Sequence, residues 1–399
     1  MRIIFIYHTF PGPFKSLAHE LSEDSYNKVL FLSESGQKTN LAKVRKIRLA
    51  PPINYETTDL VEKEAVMRLR RAARTGNALL KLRNDNFIPD IIISTSSTAG
   101  NLYIKDIFPN AHYIIFSDWF YTKGENYCFF NEGKVRTPAG FAIPRIRNFW
   151  EYNALGDADT VIVSSKWQQE QYPKFLQNRT ILLHNGINTH YFAPLNIQPE
   201  KEIISFSGPY NDPSRGFPQF AKCIPKLLSL RPKATIVIGY PMPTRIRKGQ
   251  EEKVKEQINK VCQNIENYLD LPEDLLKKVK ILGPCQVKDY RNMLQASTVH
   301  VYLTSPHTLS TGILEAMASN TLVVASDTSP VREIIQHGYN GFLCDFWDST
   351  KMAETIAGVL ERSKSLKSIK QNARNFIVKN YNINDYIENF KKIMIKRIN

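Results

Sequence analysis

The sequence predicts an α/β protein built from two doubly wound, Rossmann-like domains, and three observations lead to that prediction. Short apolar runs rich in β-branched residues alternate with amphipathic stretches, which is typical of parallel sheets covered by helices on both faces. The alternation stops at a polar link that contains prolines and then starts again. The length of 399 residues is sufficient for two cores of ordinary size. We expect the boundary near Asn196 and, because the link is short, a cleft between the domains.

The strands of each predicted domain are short apolar segments bounded by turn residues. In the first domain, residues 1–195, they are Ile3–Tyr7, Val29–Leu32, Ile91–Ser94, Tyr113–Phe116 and Thr160–Val163. In the second domain, residues 196–375, they are Ile203–Ser207, Thr235–Ile238, Lys280–Leu282, Val299–Leu303 and Leu322–Ala325. Amphipathic stretches such as Lys15–Leu21 and Arg147–Leu155 lie between strands and predict the covering helices.

Capping residues mark helix ends in the C-terminal half. Ser329 followed by Pro330 predicts an N-cap with proline at the first helical position, and His337–Gly338 predicts the end of that helix. Asn320 predicts the end of the preceding helix, because asparagine tolerates the left-handed conformation. A last helix is expected near Asn384–Arg397.

Composition excludes several classes of protein. The chain is 42% hydrophobic and 23% charged, and it has no run of 18 apolar residues that would span a membrane. Its five cysteines show no C-x-x-C spacing, so we expect reduced thiols and no zinc or disulfide framework. The sequence contains no Cys/His cluster, so we do not expect a metal site. The N-terminal segment lacks a signal-peptide cleavage region, so we expect a cytoplasmic protein.

The net charge of +15 favours anionic partners. Part of the charge lies in Val61–Arg83 and in Gln371–Asn399, where apolar residues alternate with Lys and Arg. Such helices either lie on an anionic bilayer, which would place the protein at the inner leaflet of the plasma membrane, or present a solvated charged face. Nucleic acid is not an expected partner, because no recognition motif accompanies the charge.

The most informative segment is Ser305–Phe346. Residues Ser310–Gly312 open a helix, where backbone N–H groups without intrahelical partners bind phosphate. Glu315 lies one turn deeper on the same face as Thr311, whereas Ile313 projects from the opposite face. A nucleotide diphosphate whose ribose hydroxyls bind the Glu315 carboxylate would fit this layout.

These residues resemble the donor-binding motif of retaining glycosyltransferases of family 4, which have the two-domain GT-B architecture. The family reads E-x7-E, then G-x-P-V-V-A-S, then E-I-I-x-x-G-x-x-G, and the matching segments are Leu314–Ala318, Val323–Ser326 and Arg332–Leu343. Further similar segments are His184–Pro194, Ser214–Phe220, Ile281–Ser297 and the FPGPF loop of a bacterial branch, Phe10–Phe14. The resemblance covers most of the chain and implies that residues 376–399 form a helix crossing back to the first domain.

Two positions depart from the family pattern. His307 stands where the first glutamate of the E-x7-E motif is usual, and that glutamate is associated in the family with the donor sugar. Pro209 stands where an arginine is expected, which leaves Arg215 as the basic phosphate contact of that loop. The identity of the donor sugar is therefore not predicted. We expect weaker binding of the donor phosphates than the family pattern would give, because one basic residue is missing.

The resemblance implies a donor site that collects residues from several loops. It comprises Gly208, Arg215, Pro284, His307, Ser310, Thr311, Gly312, Ile313 and Glu315. Arg215 and the amides that open the helix would stabilise the departing diphosphate, and Glu315 would bind the ribose. The donor would be a UDP- or GDP-linked sugar, without a further cofactor and without a metal.

Catalytic and acceptor candidates in the first domain follow predicted strands. Asp118 ends a strand, at the position where ligands bind in open parallel sheets. His8 leads into the acceptor-binding candidates Pro11 and Gly12, where glycine permits a close approach of backbone to ligand. The catalytic set is Asp118, His8 and Arg215. The alternatives are that Asp118 only caps a turn and that His8 is only a packed residue of its loop.

The resemblance implies an enzyme that moves a sugar from a nucleotide-sugar donor to a hydroxyl acceptor with retention of configuration. The acceptor would be a glycan or lipid-linked glycan in bacterial cell-surface polysaccharide or lipopolysaccharide synthesis. Two alternatives stay open. One is a glycosyltransferase-like binding subunit without catalysis, and the other is a sugar-nucleotide epimerase of the same architecture.

Overall fold

The computed structural model describes residues 1–36, 41–50, 55–98, 100–122, 138–195, 202–242 and 251–396. The chain divides into two compact units, Met1–His184 with Asn384–Asn399, and Asn185–Ile383. The division precedes the boundary expected at Asn196, because Ile187 and Phe192 belong to the core of the second unit. The predicted link from Asn196 to residue 201 and the last three residues lie outside the described ranges.

The first unit is an α/β unit whose seven main strands form one parallel sheet. Its strands are β1 (Arg2–Ile6), β2 (Thr9–Phe10), β3 (Lys28–Ser33), β4 (Ser35–Gly36), β5 (Arg45–Arg48), β6 (Ile91–Thr95), β7 (His112–Phe116), β8 (Thr160–Val163) and β9 (Thr180–Leu182). Its helices are α1 (Lys15–Glu23), α2 (Leu60–Asn84), α3 (Ile104–Ile107), α4 (Pro138–Asp157), α5 (Lys166–Glu170) and α6 (Lys174–Gln177), with 3-10 turns at Gly12–Phe14 and Ser96–Thr98.

The second unit has a six-stranded parallel sheet. Its strands are β10 (Ile203–Phe206), β11 (Thr235–Pro241), β12 (Val279–Cys285), β13 (Val299–Tyr302), β14 (Leu322–Ser326) and β15 (Phe342–Cys344). A 3-10 turn covers Pro213–Arg215, and the helices are α7 (Phe217–Leu230), α8 (Glu251–Leu269), α9 (Glu273–Leu276), α10 (Val287–Ala296), α11 (Thr311–Ala318), α12 (Ser329–Arg332), α13 (Ser349–Glu361) and α14 (Lys367–Asn380).

The strand orders place one topological switch point in each unit. The first sheet runs β5-β3-β1-β6-β7-β8-β9 and the second β12-β11-β10-β13-β14-β15, so chain order reverses between β1 and β6 and between β10 and β13. The central strands are fully buried, as Ile3 and Phe206 show. Open parallel sheets bind ligands beyond the carboxyl ends of the strands at this point. The prediction of two doubly wound α/β domains is confirmed.

Short edge strands and one helix differ from the sequence expectation. Strands β5, β9 and β15 were not predicted, because each has only three or four residues, which is too short for a periodicity to show. Helix α12 has Thr328 as its N-cap, Ser329 is its first residue, and it ends at Arg332 instead of continuing to His337. Asn320 adopts a positive φ of 62°, as its predicted place at a helix end requires. Gly338 has a φ of 76° but lies in a turn beyond the end of α12, so its predicted place at a helix end is wrong.

The last helix, α15 (Ile383–Lys396), uses its apolar face for packing. The ring of Phe390 lies 5.8 Å from that of Phe116, centroid to centroid, and Phe390 and Met394 are buried. Lys391 forms a 2.6 Å ion pair with Glu20 of α1. The apolar residues expected to face a bilayer in this segment therefore include two that are packed against protein. Helix α14 and residues 376–383 belong to the second unit, so the segment assigned to the first unit begins at Asn384.

Two observations, on membrane spans and on cysteines, apply to the described residues only. No described helix is long and apolar enough to cross a membrane. The described cysteines, Cys223, Cys262, Cys285 and Cys344, are free thiols, and Cys128 lies outside the described ranges.

Asp59→Ala is expected to loosen the first turn of α2. The Asp59 carboxylate accepts hydrogen bonds from the backbone N–H groups of Val61 at 2.7 Å and Glu62 at 3.1 Å. Loss of an N-cap destabilises a helix by about 1 kcal/mol. Hydrogen exchange at the start of α2 should accelerate, and Asp59→Asn, which still caps, should exchange nearly like the wild type. Equal acceleration in both variants would contradict the capping role.

Candidate functional site

A cavity of about 210 Å³ lies in the second unit beyond the carboxyl ends of β10 and β13, at the switch point of the sheet. Its walls come from the carboxyl ends of β11 and β13, from the loops after β10 and β13, and from α10 and α11. They are Ser207, Gly208, Pro209, Arg215, Tyr240, Pro241, Tyr290, Tyr302, Leu303, Ser310, Thr311, Gly312 and Glu315. The structure thus brings together six of the predicted donor-binding residues: Gly208, Arg215, Ser310, Thr311, Gly312 and Glu315.

The start of α11 has fewer backbone N–H groups available to bind a phosphate than its sequence predicts. The Ser310 N–H donates to the Tyr302 hydroxyl at 3.1 Å, and the Gly312 N–H donates to Ser310 Oγ at 3.2 Å. Of the predicted phosphate-binding amides, the Thr311 N–H is the one without such a partner among the described residues. The Ile313 side chain is fully buried in the core, so it can offer a ligand only its backbone. The inward packing agrees with the predicted place of Ile313 on the face of α11 opposite Glu315, and its contact with the donor remains a prediction.

Glu315 is a half-buried residue whose carboxyl group faces the cavity. Burial raises its pKa to about 7, although hydrogen bonds with the Thr311 and Tyr290 hydroxyls oppose that rise. A carboxyl group in this state changes charge near neutral pH and forms its strongest hydrogen bonds when it is ionised. It is suited to bind a pair of hydroxyl groups on a ligand in the cavity.

Arg215 is the cation of the cavity wall. Its Nη1 donates to Thr304 Oγ1 at 3.2 Å and to the Thr308 carbonyl at 3.4 Å, and its Nε lies 3.9 Å from an Asp212 carboxylate oxygen. These contacts fix the guanidinium beside the loop that leads into α11. The next residue, Gly216, has a φ of +72° and is the N-cap of α7. The tight turn at Gly216 is thus what aims Arg215 at the cavity.

Besides Ile313, two predicted donor residues are not among the residues that line this cavity. His307 is half-buried, its Nδ1 pairs with the Thr308 hydroxyl at 2.9 Å, and burial lowers its pKa to about 4. It is therefore a neutral imidazole near neutral pH. Pro284 lines a separate cavity of about 550 Å³ together with Met242 and Ile258. The contacts predicted for His307 and Pro284 remain predictions.

Sequence reasoning missed the hydroxyl groups of this site. Tyr290 of α10, which is 1% exposed, interacts with Glu315 and Ser207, and Tyr302 holds the Ser310 amide. Ser207 also pairs with the buried His300. A tyrosine in an amphipathic helix and a serine at a strand end are ordinary residues in a sequence, so no local signal marks them.

The carboxyl edge of the first sheet gathers a second polar cluster. Asp118 follows β7, and one of its carboxylate oxygens accepts a hydrogen bond from the Ser97 N–H at 3.4 Å. Burial raises the pKa of Asp118, whereas hydrogen bonds with Ser97 and Thr95 oppose that rise. Tyr7, which follows β1, has a pKa raised to about 12 by burial and by the negative charge of Asp118. Asp118 therefore lies at the switch point of the first unit.

Glu151 of α4 is a buried acid that the sequence did not single out. It is 5% exposed and accepts hydrogen bonds from Ser117 and Tyr172. Burial raises its pKa to about 7, and Asp118 adds to the rise. The Gln168 side chain donates to the carbonyls of Ser117 and Asp118 at 2.7 Å and 2.6 Å. This cluster therefore fixes the backbone that carries Asp118.

Glu151→Gln is expected to change the pH dependence of stability. The pKa of Glu151 rises from 4.5 to about 7 on folding, so the unfolded chain loses its proton first. Wild-type stability therefore falls as pH increases from about 4.5 to about 7, and this contribution is constant above that range. The melting temperature of the variant relative to wild type should be higher near pH 8 than near pH 5. A pH-independent difference would contradict this assignment.

His8, Pro11 and Gly12 lie at the same edge of the first sheet. His8 is exposed, and its ring centroid is 4.0 Å from that of Tyr7. Partial desolvation and the charge of Arg71 lower the pKa of His8, whereas the charge of Glu34 raises it. Gly12 has a φ of +52°, and an added Cβ would overlap the Tyr7 ring. Gly12 therefore serves the packing of its loop on Tyr7. Pro11 is buried.

Comparison with protein families identifies two consecutive matches. Residues 25–192 match the model described as "Glycosyl transferase family 4 group", and residues 188–376 match "Glycosyl transferases group 1". The phosphatidyl-myo-inositol mannosyltransferase of Mycolicibacterium smegmatis is 28% identical over 207 residues, which are 50% of this chain and 46% of that protein. The chain spans about half the length of the curated relatives it matches first, from 46% to 57%.

Solved structures share the fold at low identity. The sucrose-phosphate synthase of Thermosynechococcus elongatus superimposes with a TM-score of 0.74 at 16% identity and covers 99% of this chain and 98% of its own. The Anabaena protein HepE, solved with UDP and glucose, has a TM-score of 0.68 at 16% identity and covers 99% of each chain.

Proposed function

The chain belongs to the glycosyl transferase family 4 group, and we propose from this premise that it moves a sugar from a nucleotide-sugar donor to a hydroxyl acceptor with retention of configuration. The observation that carries the proposal is the cavity at the switch point of the second unit. It places the Arg215 guanidinium, the start of α11 and the Glu315 carboxyl group around one space. A cation, a helix N-terminus and a carboxylate are complementary to a nucleoside diphosphate and its ribose.

Each residue has a defined task in the proposed reaction. The guanidinium of Arg215 and the Thr311 amide stabilise the charge that develops on the departing diphosphate, and this electrostatic term is usually a large part of catalysis. The Glu315 carboxylate accepts hydrogen bonds from the ribose hydroxyls. These contacts supply the charge stabilisation in the proposed reaction without a metal ion.

The first unit supplies the acceptor side of the proposal. Asp118 is held by Ser97 at the edge of the sheet, and His8 and Gly12 flank Tyr7 there. We assign to Asp118 the orientation of the acceptor hydroxyl, with a phosphate oxygen of the donor as the base that takes its proton. His8 is the second group assigned to the acceptor hydroxyl, and Pro11 and Gly12 shape the loop around it.

Two narrower proposals concern the nucleotide base of the donor and the residue that binds its sugar. HepE was solved with UDP and glucose, which favours a UDP-linked donor, and a GDP-linked donor is the alternative to be compared. The neutral His307, half-buried before α11, is assigned to a sugar hydroxyl. Its place in the sequence, where the family has the first glutamate, supports this assignment.

We also propose an acceptor on a lipid-linked glycan in cell-surface polysaccharide or lipopolysaccharide synthesis, used at the cytoplasmic face of a membrane. A relative at 28% identity is named as a phosphatidyl-myo-inositol mannosyltransferase, so its substrate is a lipid. Helix α2 supports a membrane-facing role, because Leu60 and Leu69 are 66% and 46% exposed on a helix rich in arginine. Exposed apolar side chains beside cations bind anionic lipid surfaces.

The proposed function is tested by product analysis. The protein is incubated with UDP- and GDP-sugars and with soluble or lipid-linked acceptors, and NMR defines the anomeric configuration of the product. Transfer that is lost in Arg215→Ala and Glu315→Ala, with retention, supports the proposal. Nucleotide binding without transfer to any acceptor would favour the non-catalytic alternative that Pro209 and His307 raise. A changed sugar nucleotide without an acceptor would identify an epimerase.

A further inference from the structure

Two arginines of α2 meet at one glutamate on the carboxyl edge of the first sheet. Arg74 Nη2 lies 2.6 Å and Arg71 Nε 3.4 Å from the same carboxylate oxygen of Glu34, the residue after β3. We propose that Arg71 and Arg74, here called the arginine pair, bind a phosphate group carried by the acceptor. The inference rests on the proposed function, since it concerns the acceptor side of that reaction, and it adds the chemical class of the acceptor.

The arginine pair has more hydrogen-bond donors than its surroundings fill. Arg74 Nη1 and Arg71 Nε are buried and form no hydrogen bond with any described residue. The other two nitrogens of Arg74 are filled, because Nη2 donates to Glu34 and Nε donates to the Arg70 carbonyl at 3.4 Å. Buried N–H groups in proteins are nearly always hydrogen-bonded. The unfilled donors therefore indicate a ligand that brings further acceptor atoms.

A second pair of arginines in the same unit also shares a glutamate and has its donors filled. Arg68 Nε and Arg147 Nε lie 2.8 Å and 3.0 Å from one oxygen of Glu64. Arg147 Nη1 also donates to the Tyr121 hydroxyl at 2.9 Å. Neither arginine has a buried nitrogen without a partner among the described residues. Unfilled buried donors are therefore not a general consequence of two arginines that share one carboxylate.

The charges of this cluster favour an anion. Two guanidinium groups face one carboxylate, so positive charge is in excess, and the side chains of Arg74 and Glu34 are only 21% and 19% exposed. Attraction between charges is stronger where water is partly excluded. The planar guanidinium matches the geometry of carboxylate and phosphate oxygens. Two adjacent guanidinium groups favour phosphate, because it offers more acceptor oxygens than a carboxylate does.

The arginine pair lies beside the residues proposed to act on the acceptor hydroxyl. The Glu34 N–H donates to the His8 carbonyl at 3.1 Å, and the ring of His8 packs on Tyr7. Burial and the charge of Asp118 raise the pKa of Tyr7, so Asp118 lies near the other side of this ring. The strands before Glu34 and Asp118 are three spacings apart in the sheet, roughly 14 Å. An acceptor along this edge can therefore place a hydroxyl at Asp118 and a phosphate at the arginine pair.

The experiment is a titration of the full chain with inorganic phosphate, followed by the phosphorus NMR line width. UDP saturates the cavity of the second unit, so that the probe does not bind at Arg215, and Arg215→Ala serves this purpose if UDP does not bind. Wild type is expected to bind phosphate. Arg71→Gln should weaken this binding about ten-fold or more, because hydrogen bonds to a charged group are lost. The variant still pairs Glu34 with Arg74, so the fold should be retained.

Arg70→Gln is the matched control for the arginine pair. It removes the same charge from the same helix, but the Arg70 guanidinium lies over the ring of Tyr55, 5.1 Å from its centroid. It should bind phosphate like wild type. Arg74→Gln should weaken binding as Arg71→Gln does, and Arg71→Gln alone decides if Arg74→Gln does not fold. Equal affinity in Arg71→Gln and Arg70→Gln, or no phosphate binding in wild type, would overturn the inference.

Vesicles distinguish a lipid-linked phosphate from the phosphate of a soluble acceptor. If phosphate displaces the protein from phosphatidylglycerol vesicles, and Arg71→Gln but not Arg70→Gln loses vesicle binding, the phosphate belongs to a lipid. If the two variants bind vesicles alike while Arg71→Gln still loses inorganic phosphate, the phosphate belongs to a soluble acceptor. Both results support the arginine pair as a phosphate site.

Transfer assays separate this inference from the proposed function. Sugar transfer at the wild-type rate in Arg71→Gln and Arg74→Gln would overturn the inference and leave the proposed function intact. Phosphate binding that depends on Arg71, in a protein that transfers no sugar to any acceptor, would overturn the proposed function. The assignment of the phosphate to an acceptor would then be lost, whereas the anion site itself would stand.

Discussion

Glu315→Ala is expected to remove the stabilisation of the protein by nucleotides. A wild-type protein saturated at about 100 times the dissociation constant gains roughly 2.7 kcal/mol. For a unit of this size the melting temperature then rises by about 5–10 °C. The variant lacks the only carboxyl group lining the described cavity, so its melting temperature should not respond to UDP, GDP, CMP, ADP or dTDP.

The comparison variant is Glu315→Gln, which keeps the size of the side chain and one hydrogen-bond acceptor. It should respond to the nucleotide, with a smaller shift than wild type, because a neutral amide binds ribose hydroxyls less strongly than a carboxylate. The melting temperatures of the nucleotide-free proteins show that each variant is folded. If the melting temperature of Glu315→Ala rises with nucleotide as much as that of wild type, Glu315 does not bind the nucleotide. A wild-type response to a single nucleotide would identify the donor base.

Gly216→Ala is expected to destabilise the second unit strongly and to disturb Arg215. Gly216 has a φ of +72°, and an added Cβ would lie 2.9 Å from Leu303 Cδ1 and closer still to Leu303 Cβ. Left-handed backbone costs a residue with a Cβ roughly 1–2 kcal/mol. The overlap with Leu303 adds to this cost, because Leu303 is 1% exposed and has no room to move. We expect a total loss of about 3 kcal/mol or more.

Gly338→Ala is the matched control for that substitution. Gly338 has a φ of +76°, and no heavy atom lies within 4 Å of an added Cβ. This variant should therefore lose only the backbone part, about 1 kcal/mol. Chemical unfolding of both variants measures the two losses, and transfer assays show whether Arg215 still acts. Equal losses in the two variants would show that the contact with Leu303 is relieved by small shifts.

The alternating pattern of the chain was sufficient to predict the fold class and the central strands. Each buried strand carries its own run of apolar β-branched residues, so its signal is local. The start of α11 and the place of Glu315 one turn deeper are also local, since helix periodicity sets which residues share a face. The family resemblance rested on such local motifs and is confirmed by the family matches. The edge strands β5, β9 and β15 had no comparable signal, because three or four residues are too few to show a pattern.

The tertiary structure decided how the site residues are used. The Tyr302 hydroxyl of β13 accepts a hydrogen bond from the Ser310 N–H, so the helix start offers fewer N–H groups to a phosphate than its sequence predicts. The pKa of Glu151 rises to about 7 because the residue is buried against residues of other elements. Ser205 and His300 are 95 positions apart in the chain and 2.8 Å apart in the fold. Contacts between distant segments, and the burial that changes protonation, exist only after folding, so no local pattern records them.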